Sequence, residues 1–325
     1  MKQLTLGSVF ALGVGAMAGA AMAEYPERPI NMIIPYGAGG ATDISARTIA
    51  EPLGEAVGET LVMANVTGAG GATGSVAVQN ANGDGYTMLF ARVGSHSVNP
   101  AMKATLPYTL DDFRFVNVYE INPFACTVSA SSDITSMEEL MAKANGEGIS
   151  FASSGVGSGP HLGAVMVLDA FGLEDANNTA THIPQQGGGA AITAVLNGTA
   201  EFVCTNSSSL ASFVANNQLR PLLVTTEEPV VGFDAPTVNE LGQPGLNQLV
   251  GWTGIAGPAD LPDDVAAKWE GWMATAAADE EFRAAMEARG SVIEIMGPAE
   301  ANDFIQGQYN VFRALVDELG MRIEG

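Results

Sequence analysis

The sequence predicts an α/β protein built from two blocks of alternating strands and helices. Short apolar runs of strand length alternate with segments of helical periodicity along most of the chain. The chain has 325 residues, of which 47% are hydrophobic, which is enough for two domains of ordinary size or for one large domain. Several predicted strands also end in glycine- and serine-rich turns that open a helix, an arrangement that presents backbone N–H groups to an anion.

The first block begins with a buried strand at residues 29–35 (PINMIIP), an apolar run between two prolines. A helix follows at 42–57, because Ile44, Ile49 and Leu53 fall on one face of a 3.6-residue period. The remaining elements of this block are a strand at 59–65, a short helix at 75–80 and a strand at 86–91.

The second block starts with an apolar strand at residues 124–128 and repeats the alternation. It contains further strands at 148–152, 180–183, 200–205 and 220–225, and helices at 137–144, 160–171 and 190–196. The tail is helical at 262–277, 280–289 and 298–319. Each tail helix begins near a proline or an aspartate, residues that suit a helix start.

Charge and composition exclude several classes of protein. The chain has 13 Lys and Arg against 36 Asp and Glu, a formal net charge of −23. So few cations cannot neutralise a phosphate backbone, so no nucleic-acid partner is expected. Two cysteines and three histidines leave little material for a metal site. His96 and His182 have no second candidate ligand nearby in the sequence, and we expect neither a metal nor a cofactor.

The N-terminus has the pattern of a secretory signal peptide over residues 1–23. Lys2 supplies a positive start, an apolar stretch follows, and Ala21-Met22-Ala23 is a small-x-small cleavage site. The alternative is an uncleaved membrane anchor, which the high glycine and alanine content disfavours. Cleavage before Glu24 predicts export to the periplasm. Cys126 and Cys204 would then lie in an oxidising compartment, but the sequence does not show whether they pair.

The glycine-rich turns at residues 37–42, 68–74 and 153–159 do not match the common nucleotide or hydrolase motifs. None has glycines at n, n+2 and n+5, and none ends in the Gly-Lys-Ser/Thr of a P-loop. The chain has no Gly-x-Ser-x-Gly nucleophile elbow either. Ser158 and His161 are three residues apart in one loop, unlike a nucleophile and base from distant segments. We therefore predict no catalytic residues, and we interpret His161 as a helix-start residue that lines a cleft.

Longer segments resemble the Bug-type periplasmic receptors of the tripartite tricarboxylate transporter family. The resemblance runs in order from residue 25 almost to the C-terminus, and it is carried by residues 25–47, 67–78, 82–102, 106–116, 151–163, 183–202, 219–226, 235–242 and 252–262. It implies a two-lobed periplasmic-binding-protein fold, type II-like, with a ligand cleft between the lobes. We assign residues 24–122 and 250–325 to the first lobe and 123–249 to the second.

The resemblance implies a monomeric receptor that binds a small di- or tricarboxylate and delivers it to separate membrane permease subunits. The two lobes would close on the ligand. Two alternatives stay open from the sequence: an exported α/β enzyme that acts on a small carboxylate, and a carboxylate-sensing receptor for a signalling partner. The sequence does not specify which carboxylate is bound.

The resemblance also gives the expected ligand-binding residues. The first lobe contributes the loop after the first strand and the end of the third strand, and the second lobe contributes two glycine-rich turns, a helix start and a strand end. These residues are Tyr36, Ala38, Gly39, Gly40, Thr42, Asp43, Arg92, Ser95, Ser153, Ser154, Gly155, Gly157, His161, Gln185, Gln186 and Asn206.

Two positions depart from the pattern of the family. Gln185 and Gln186 stand where these receptors commonly have an aromatic wall, and Arg92 ends a strand that commonly ends in small residues. Arg92 has two interpretations: a solvent-exposed arginine, or a bidentate clamp for a second carboxylate of the ligand. The clamp is favoured by its place at the carboxyl end of a strand, where open α/β folds bind ligands.

Overall fold

The computed structural model describes residues 25–324, and the predicted leader at 1–23 lies outside them. None of the helices within this range has both the length and the apolar content that a membrane span requires. The strands are β1 (Ile30–Ile34), β2 (Leu61–Asn65), β3 (Thr87–Arg92), β4 (Phe113–Ser129), β5 (Ser150–Ser153), β6 (Thr181–Pro184), β7 (Phe202–Asn206), β8 (Leu219–Val224), β9 (Val250–Pro258) and β10 (Val292–Met296).

The helices alternate with these strands, which confirms the predicted α/β class. They are α1 (Ala41–Val57), α2 (Ala72–Gln79), α3 (Asn99–Met102), α4 (Met137–Gly146), α5 (Gly159–Ala170), α6 (Ala176–Thr179), α7 (Gly188–Leu196), α8 (Ser207–Ala215), α9 (Asp263–Ala276), α10 (Glu280–Glu287) and α11 (Pro298–Glu318). A short π-helical segment, Gly94–Val98, joins β3 to α3.

Eight of the ten strands form a mixed sheet in the order β2-β1-β3-β9-β4-β7-β5-β6, and β8 and β10 each pair with β4 beside this path. The pairs β1–β2, β1–β3, β5–β6 and β5–β7 are parallel, as expected of strands joined by crossover helices. The central pairs that involve β4 or β9 are antiparallel. Two parallel units are thus joined through an antiparallel centre.

The long strand β4 changes partners along its length. From Phe113 to Pro123 it pairs with β9, and from Phe124 to Val128 it pairs with β7. The change falls at the predicted lobe boundary of residue 123, and β9 begins at the other predicted boundary, residue 250. The division into lobes stays a prediction that this pairing favours, and we keep the names first lobe and second lobe for its two parts.

Local sequence explains how the first turn-and-helix unit forms. Strand β1 lies between β2 and β3 and buries four of its five residues, which is why its sequence is almost continuously apolar. Helix α1 ends at Gly58, whose φ of 75° is the left-handed conformation that glycine adopts without strain. Gly58 donates its N–H to the Gly54 carbonyl and so closes the last turn.

The first lobe and the second lobe each have apolar clusters of their own. In the first, β1, β3 and β9 pack against α1, α9 and α10 around Trp269 and Phe282. In the second, β7 and β8 pack against α7 and α8. A further cluster spans β4 and α5 and extends to α11. Burying one large apolar side chain contributes about 1.5–3 kcal/mol.

Cys126 on β4 and Cys204 on β7 lie opposite each other in the antiparallel register and form a disulfide. Both residues are fully buried. The pairing that the sequence left open is therefore present, and it joins the second half of β4 to the parallel unit of the second lobe.

Candidate functional site

The first predicted loop connects β1 to α1 and leaves backbone donors unused. Gly37, Ala38 and Gly39 are exposed, and Gly39 has a φ of 75°. Gly40 is the N-cap of α1 but offers no side chain to cap it. The first α-helical bond is made by the N–H of Ile44 to Gly40, so the N–H groups of Ala41, Thr42 and Asp43 have no intrahelical acceptor. This turn can bind an anion through backbone N–H groups and the helix dipole.

Asp43 holds this loop from behind. Its Oδ2 accepts from the Gly39 N–H at 2.9 Å, and its Oδ1 accepts from Arg47 Nε and Asn65 Nδ2, both at 2.8 Å. Burial raises the pKa of Asp43, but hydrogen bonds from Asn65 and Gly39 and the nearby Arg47 outweigh burial and lower it. Both carboxylate oxygens are engaged within the protein, so Asp43 is placed to position the loop.

Tyr36 lies at the entrance to the same loop, against Gly71 and Gly94. Its hydroxyl donates to the Gly70 carbonyl at 3.2 Å. A Cβ at Gly94 would lie 2.5 Å from the Tyr36 hydroxyl oxygen, so only glycine leaves room for the ring there. Ser95 is fully buried beside it, and its hydroxyl lies 2.8 Å from His96 Nδ1. Burial lowers the pKa of His96 to about 3, so this ring is neutral at physiological pH.

Arg92 is not a surface residue: only 4% of it is exposed, so the solvent-exposed interpretation is wrong. Its Nη1 donates to Thr253 Oγ1 at 2.6 Å, and the Thr253 hydroxyl in turn donates to Glu120 Oε2 at 2.7 Å. The direct Arg92–Glu120 distance is 3.9 Å. Arg92 and Glu120 are therefore a buried opposite-charge pair bridged by one hydroxyl.

The second predicted loop joins β5 to α5 and rests on a stack of three aromatic rings. Phe151 stacks on His182 with centroids 4.8 Å apart, and His182 stacks on His161 at 3.9 Å. Ser153 Oγ lies 2.6 Å from His182 Nε2, and the Gly157 N–H donates to His161 Nδ1 at 3.1 Å. Both histidines thus support the backbone of this loop.

The electrostatics of this stack keep both rings neutral. Burial lowers the pKa of each histidine to about 4, and for His161 the adjacent His182 lowers it further. A neutral His161 keeps an unprotonated Nδ1 that can accept from Gly157. Protonation of His161 at Nδ1 would remove the acceptor of the Gly157 hydrogen bond.

The other predicted residues of the second lobe lie beside this loop or at the lobe boundary. Gln185 donates its N–H to the Ser153 carbonyl at 2.9 Å and is half-buried, and Gln186 is exposed. Ser154 and Gly155 are partly exposed. Asn206, at the end of β7, donates its side-chain amide to the Asn122 carbonyl at 3.0 Å. Asn206 thus lies where β4 changes partners, apart from the glycine turns.

The two lobes approach each other at Gly157. A Cβ on Gly157 would lie 3.1 Å from Met102 Cε and 3.8 Å from Ile323 Cδ1, both residues of the first lobe. The structure brings Tyr36, Arg92 and Ser95 together on one side. On the other side Ser153, Gly155, Gly157, His161 and Gln185 form a second group. The roles of both groups in ligand binding stay predictions.

Sequence reasoning missed three residues of this region: Glu120, Thr253 and His182. Glu120 is a fully buried carboxylate in the first half of β4, which contains several polar residues and was not predicted as a strand, so its burial gave no signal in the sequence. Thr253 gave no signal, because β9 was not predicted. His182 was set aside as isolated, but the fold stacks it on His161. Within residues 25–324, no group of three or more His, Cys, Asp and Glu is placed to hold a metal ion.

Comparison with known proteins gives consistent results. The family model described as "Tripartite tricarboxylate transporter family receptor" matches residues 45–321. The chain is similar to protein BugT of Bordetella pertussis, with 26% identity over 328 residues and 99% of both chains covered.

Solved structures share the fold. The periplasmic binding protein BugD has a TM-score of 0.83 and 27% identity, covering 92% of this chain and 99% of that one. The R. palustris protein Rpa4515 with adipate has a TM-score of 0.84 and 23% identity, covering 91% and 99%. The α/β periplasmic-binding-protein fold predicted from the sequence is thereby confirmed.

Proposed function

The chain belongs to the tripartite tricarboxylate transporter family of receptors, and from this membership we propose that it binds a small di- or tricarboxylate between its two lobes. The family consists of periplasmic solute-binding receptors. In this role the chain reaches the periplasm through its cleaved leader and acts there as a monomer without catalysis. It delivers the bound carboxylate to the permease subunits of a tripartite transporter.

The observation that carries the proposal is the uncapped start of α1. Three N–H groups without intrahelical acceptors and the positive end of a 17-residue helix lie next to the exposed glycines of the first loop. Asp43 fixes that loop before any ligand arrives, so little ordering remains to be done on binding. One carboxylate of the ligand fits this turn.

A second support comes from the solved relatives. Rpa4515, which shares the fold, was solved with adipate, a dicarboxylate. The net charge of −23 does not prevent anion binding. Screening confines the repulsion to within roughly 10 Å at 0.1 M salt, while the loop N–H groups act at contact distance.

The test is a thermal-shift screen of the mature protein against mono-, di- and tricarboxylates. A ligand that binds only the folded state raises Tm, by an amount that follows RT ln(1 + [L]/Kd). We expect at least one di- or tricarboxylate to raise Tm without being chemically changed, which mass spectrometry checks. Stabilisation by no carboxylate, or turnover of one, would contradict the proposal.

The same screen is applied to Gly40→Val. The backbone at Gly40 (φ −78°, ψ 165°) suits any residue, and a Cβ there meets only the Gly37 carbonyl at 3.3 Å. The variant should fold, but its side chain would obstruct an anion at the turn, so we expect loss of ligand-induced stabilisation. Gly54→Val is the matched control, because a Cβ at Gly54 in the same helix has nothing within 4 Å. Normal affinity in a folded Gly40→Val protein would exclude this turn as the anion site.

A further inference from the structure

Arg92 has a hydrogen-bonding capacity that the protein does not use. Its Nη2 is buried and has no hydrogen-bond partner within residues 25–324, although its Nη1 is bound to Thr253. A buried guanidinium nitrogen without an acceptor is costly. A group that supplies an acceptor there would therefore stabilise the complex.

The internal counter-ion does not satisfy Arg92. Glu120 Oε2 accepts from the Thr253 hydroxyl, and Glu120 Oε1 accepts from Ser291 Oγ at 2.9 Å and Asn122 Nδ2 at 3.2 Å. At 3.9 Å from Arg92 Nη1, the carboxylate neutralises the guanidinium at a distance and makes no bidentate contact with it. Glu120 thus compensates the charge of Arg92, while its own oxygens accept hydrogen bonds from other residues.

The chain just after Arg92 packs against Tyr36, the residue before the proposed anion turn, since a Cβ at Gly94 would lie 2.5 Å from the Tyr36 hydroxyl oxygen. The positive charge of Arg92 also opposes the rise in pKa that burial causes at both the Tyr36 and the Tyr119 hydroxyls. Tyr36 precedes the first loop, and the Tyr119 hydroxyl lies 2.8 Å from Ser45 Oγ in the second turn of α1. The guanidinium is therefore within electrostatic range of groups on both sides of the start of α1.

We infer that Arg92 binds the second carboxylate of the ligand, that Thr253 positions its guanidinium, and that Glu120 is the internal anion against which that carboxylate competes. This inference rests on the proposed function and makes it specific. The ligand has at least two carboxylates, and the guanidinium of Arg92 makes the protein selective for ligands that carry the second one. Burial strengthens such a pairing, because the local dielectric is lower than that of water.

The experiment compares dicarboxylates with their monoamides, in which one carboxylate becomes a neutral group of nearly the same shape. Succinate, malate and adipate are measured against succinamate, malamate and adipamate by calorimetry. The variants are Arg92→Gln, Arg92→Lys, Glu120→Gln and the double variant Arg92→Gln/Glu120→Gln. The double variant removes both charges, so it remains testable if Arg92→Gln alone unfolds around an unpaired Glu120. Arg28→Gln, which removes an exposed cation paired with Asp84, is the control.

We expect the wild-type protein to prefer at least one dicarboxylate over its monoamide. In Arg92→Gln and in the double variant, the affinity for the dicarboxylate should fall about 30- to 1000-fold. The affinity of the same variants for the monoamide should fall far less. Arg92→Lys should recover part of the loss, because an ammonium keeps the charge without the planar fork. Glu120→Gln should raise dicarboxylate affinity by roughly 10-fold, since the competing anion is gone. Arg28→Gln should leave the affinity for both ligands unchanged.

Two kinds of failure are distinguishable. A wild-type protein stabilised by no carboxylate would overturn the proposed function. A wild-type protein that binds carboxylates but holds each dicarboxylate and its monoamide equally would overturn the Arg92 inference alone. Equal losses for both ligands in the Arg92 variants, or a weaker dicarboxylate complex in Glu120→Gln, would also overturn it.

Discussion

At the scale of single residues, charge and position distinguish residues that contact the anionic ligand from residues that position the ligand-binding loop. Among the residues that the structure describes, Arg92 Nη2 is a buried donor without an acceptor, whereas both oxygens of Asp43 already accept from Gly39, Arg47 and Asn65. A carboxylate that contacted an anionic ligand directly would repel it, so we expect Asp43 to support binding by positioning the loop and Arg92 to support it by direct contact.

Asp43→Ala tests the positioning role. The change frees the Gly39 N–H and removes the contacts with Arg47 and Asn65, so the loop becomes mobile and carboxylate affinity should fall about 10-fold or more. Calorimetry with a carboxylate found in the screen measures the change. Asp84→Ala removes an exposed carboxylate that pairs with Arg28, and it should leave affinity unchanged. Higher affinity in Asp43→Ala would mean that its charge acts on the ligand itself.

At the scale of elements, the histidine stack makes the second loop sensitive to acid. The folded-state pKa of His161 and of His182 is about 4, below the usual 6.5. Between these values the unfolded chain binds protons that the folded protein does not, so both residues lower stability as pH falls from about 6.5 to about 4.

His182→Gln isolates one of these contributions. Glutamine can still hydrogen-bond to Ser153 but does not titrate, so the free energy of unfolding should depend less steeply on pH in the variant. Chemical denaturation at several values between pH 7 and pH 4.5 gives both slopes. Because His182 is about half-buried, the difference should be smaller than one full proton. If the free energy of unfolding depends equally on pH in both proteins, the titration of His182 does not contribute to stability.

The elements also show how far the sequence could be interpreted. Strands β1, β3 and β5 to β8 and most of the helices follow their apolar periodicity, and their predicted bounds agree within a few residues. Strand β9 was missed because Gly251, Gly254 and Gly257 interrupt its pattern. A Cβ at Gly254 would collide with the Asn117 carbonyl of β4, so glycine marks a close approach of two strands here.

Two of the other missed elements have related causes. Helix α8 begins with three serines, which favour turns because their hydroxyls compete for backbone groups. The first half of β4 contains Arg114, Asn117, Glu120 and Asn122, polar residues that do not alternate cleanly, because β4 changes register against β9. The Arg92–Thr253–Glu120 contacts depend on these two strands, so no local pattern could reveal them.

At the scale of the whole molecule, the two predicted lobes are connected near Pro123 and Val250, where β4 changes partners and β9 begins. Receptors of this architecture respond to ligand by hinge closure. Gly157 lies close to Met102 and Ile323, so the two predicted lobes can make contact at this position. We expect small-angle scattering to show a smaller radius of gyration with a saturating carboxylate than without it, at the mass of a monomer. Gly40→Val mixed with the same carboxylate should keep its larger radius. An unchanged radius in a wild-type protein that binds would exclude closure.

The late position of β9 in the chain has a consequence for how the protein is made. Arg92 on β3 and its partner Thr253 on β9 are 161 residues apart. As the chain emerges, β3 therefore has an open edge until the whole second lobe has followed it. Contacts of such sequence separation form slowly, and unpaired strand edges associate with other chains. The second lobe, by contrast, lies within one continuous stretch and can collapse early. We therefore expect the order of assembly to run opposite to the order of synthesis, with the part of the molecule that appears first completed last.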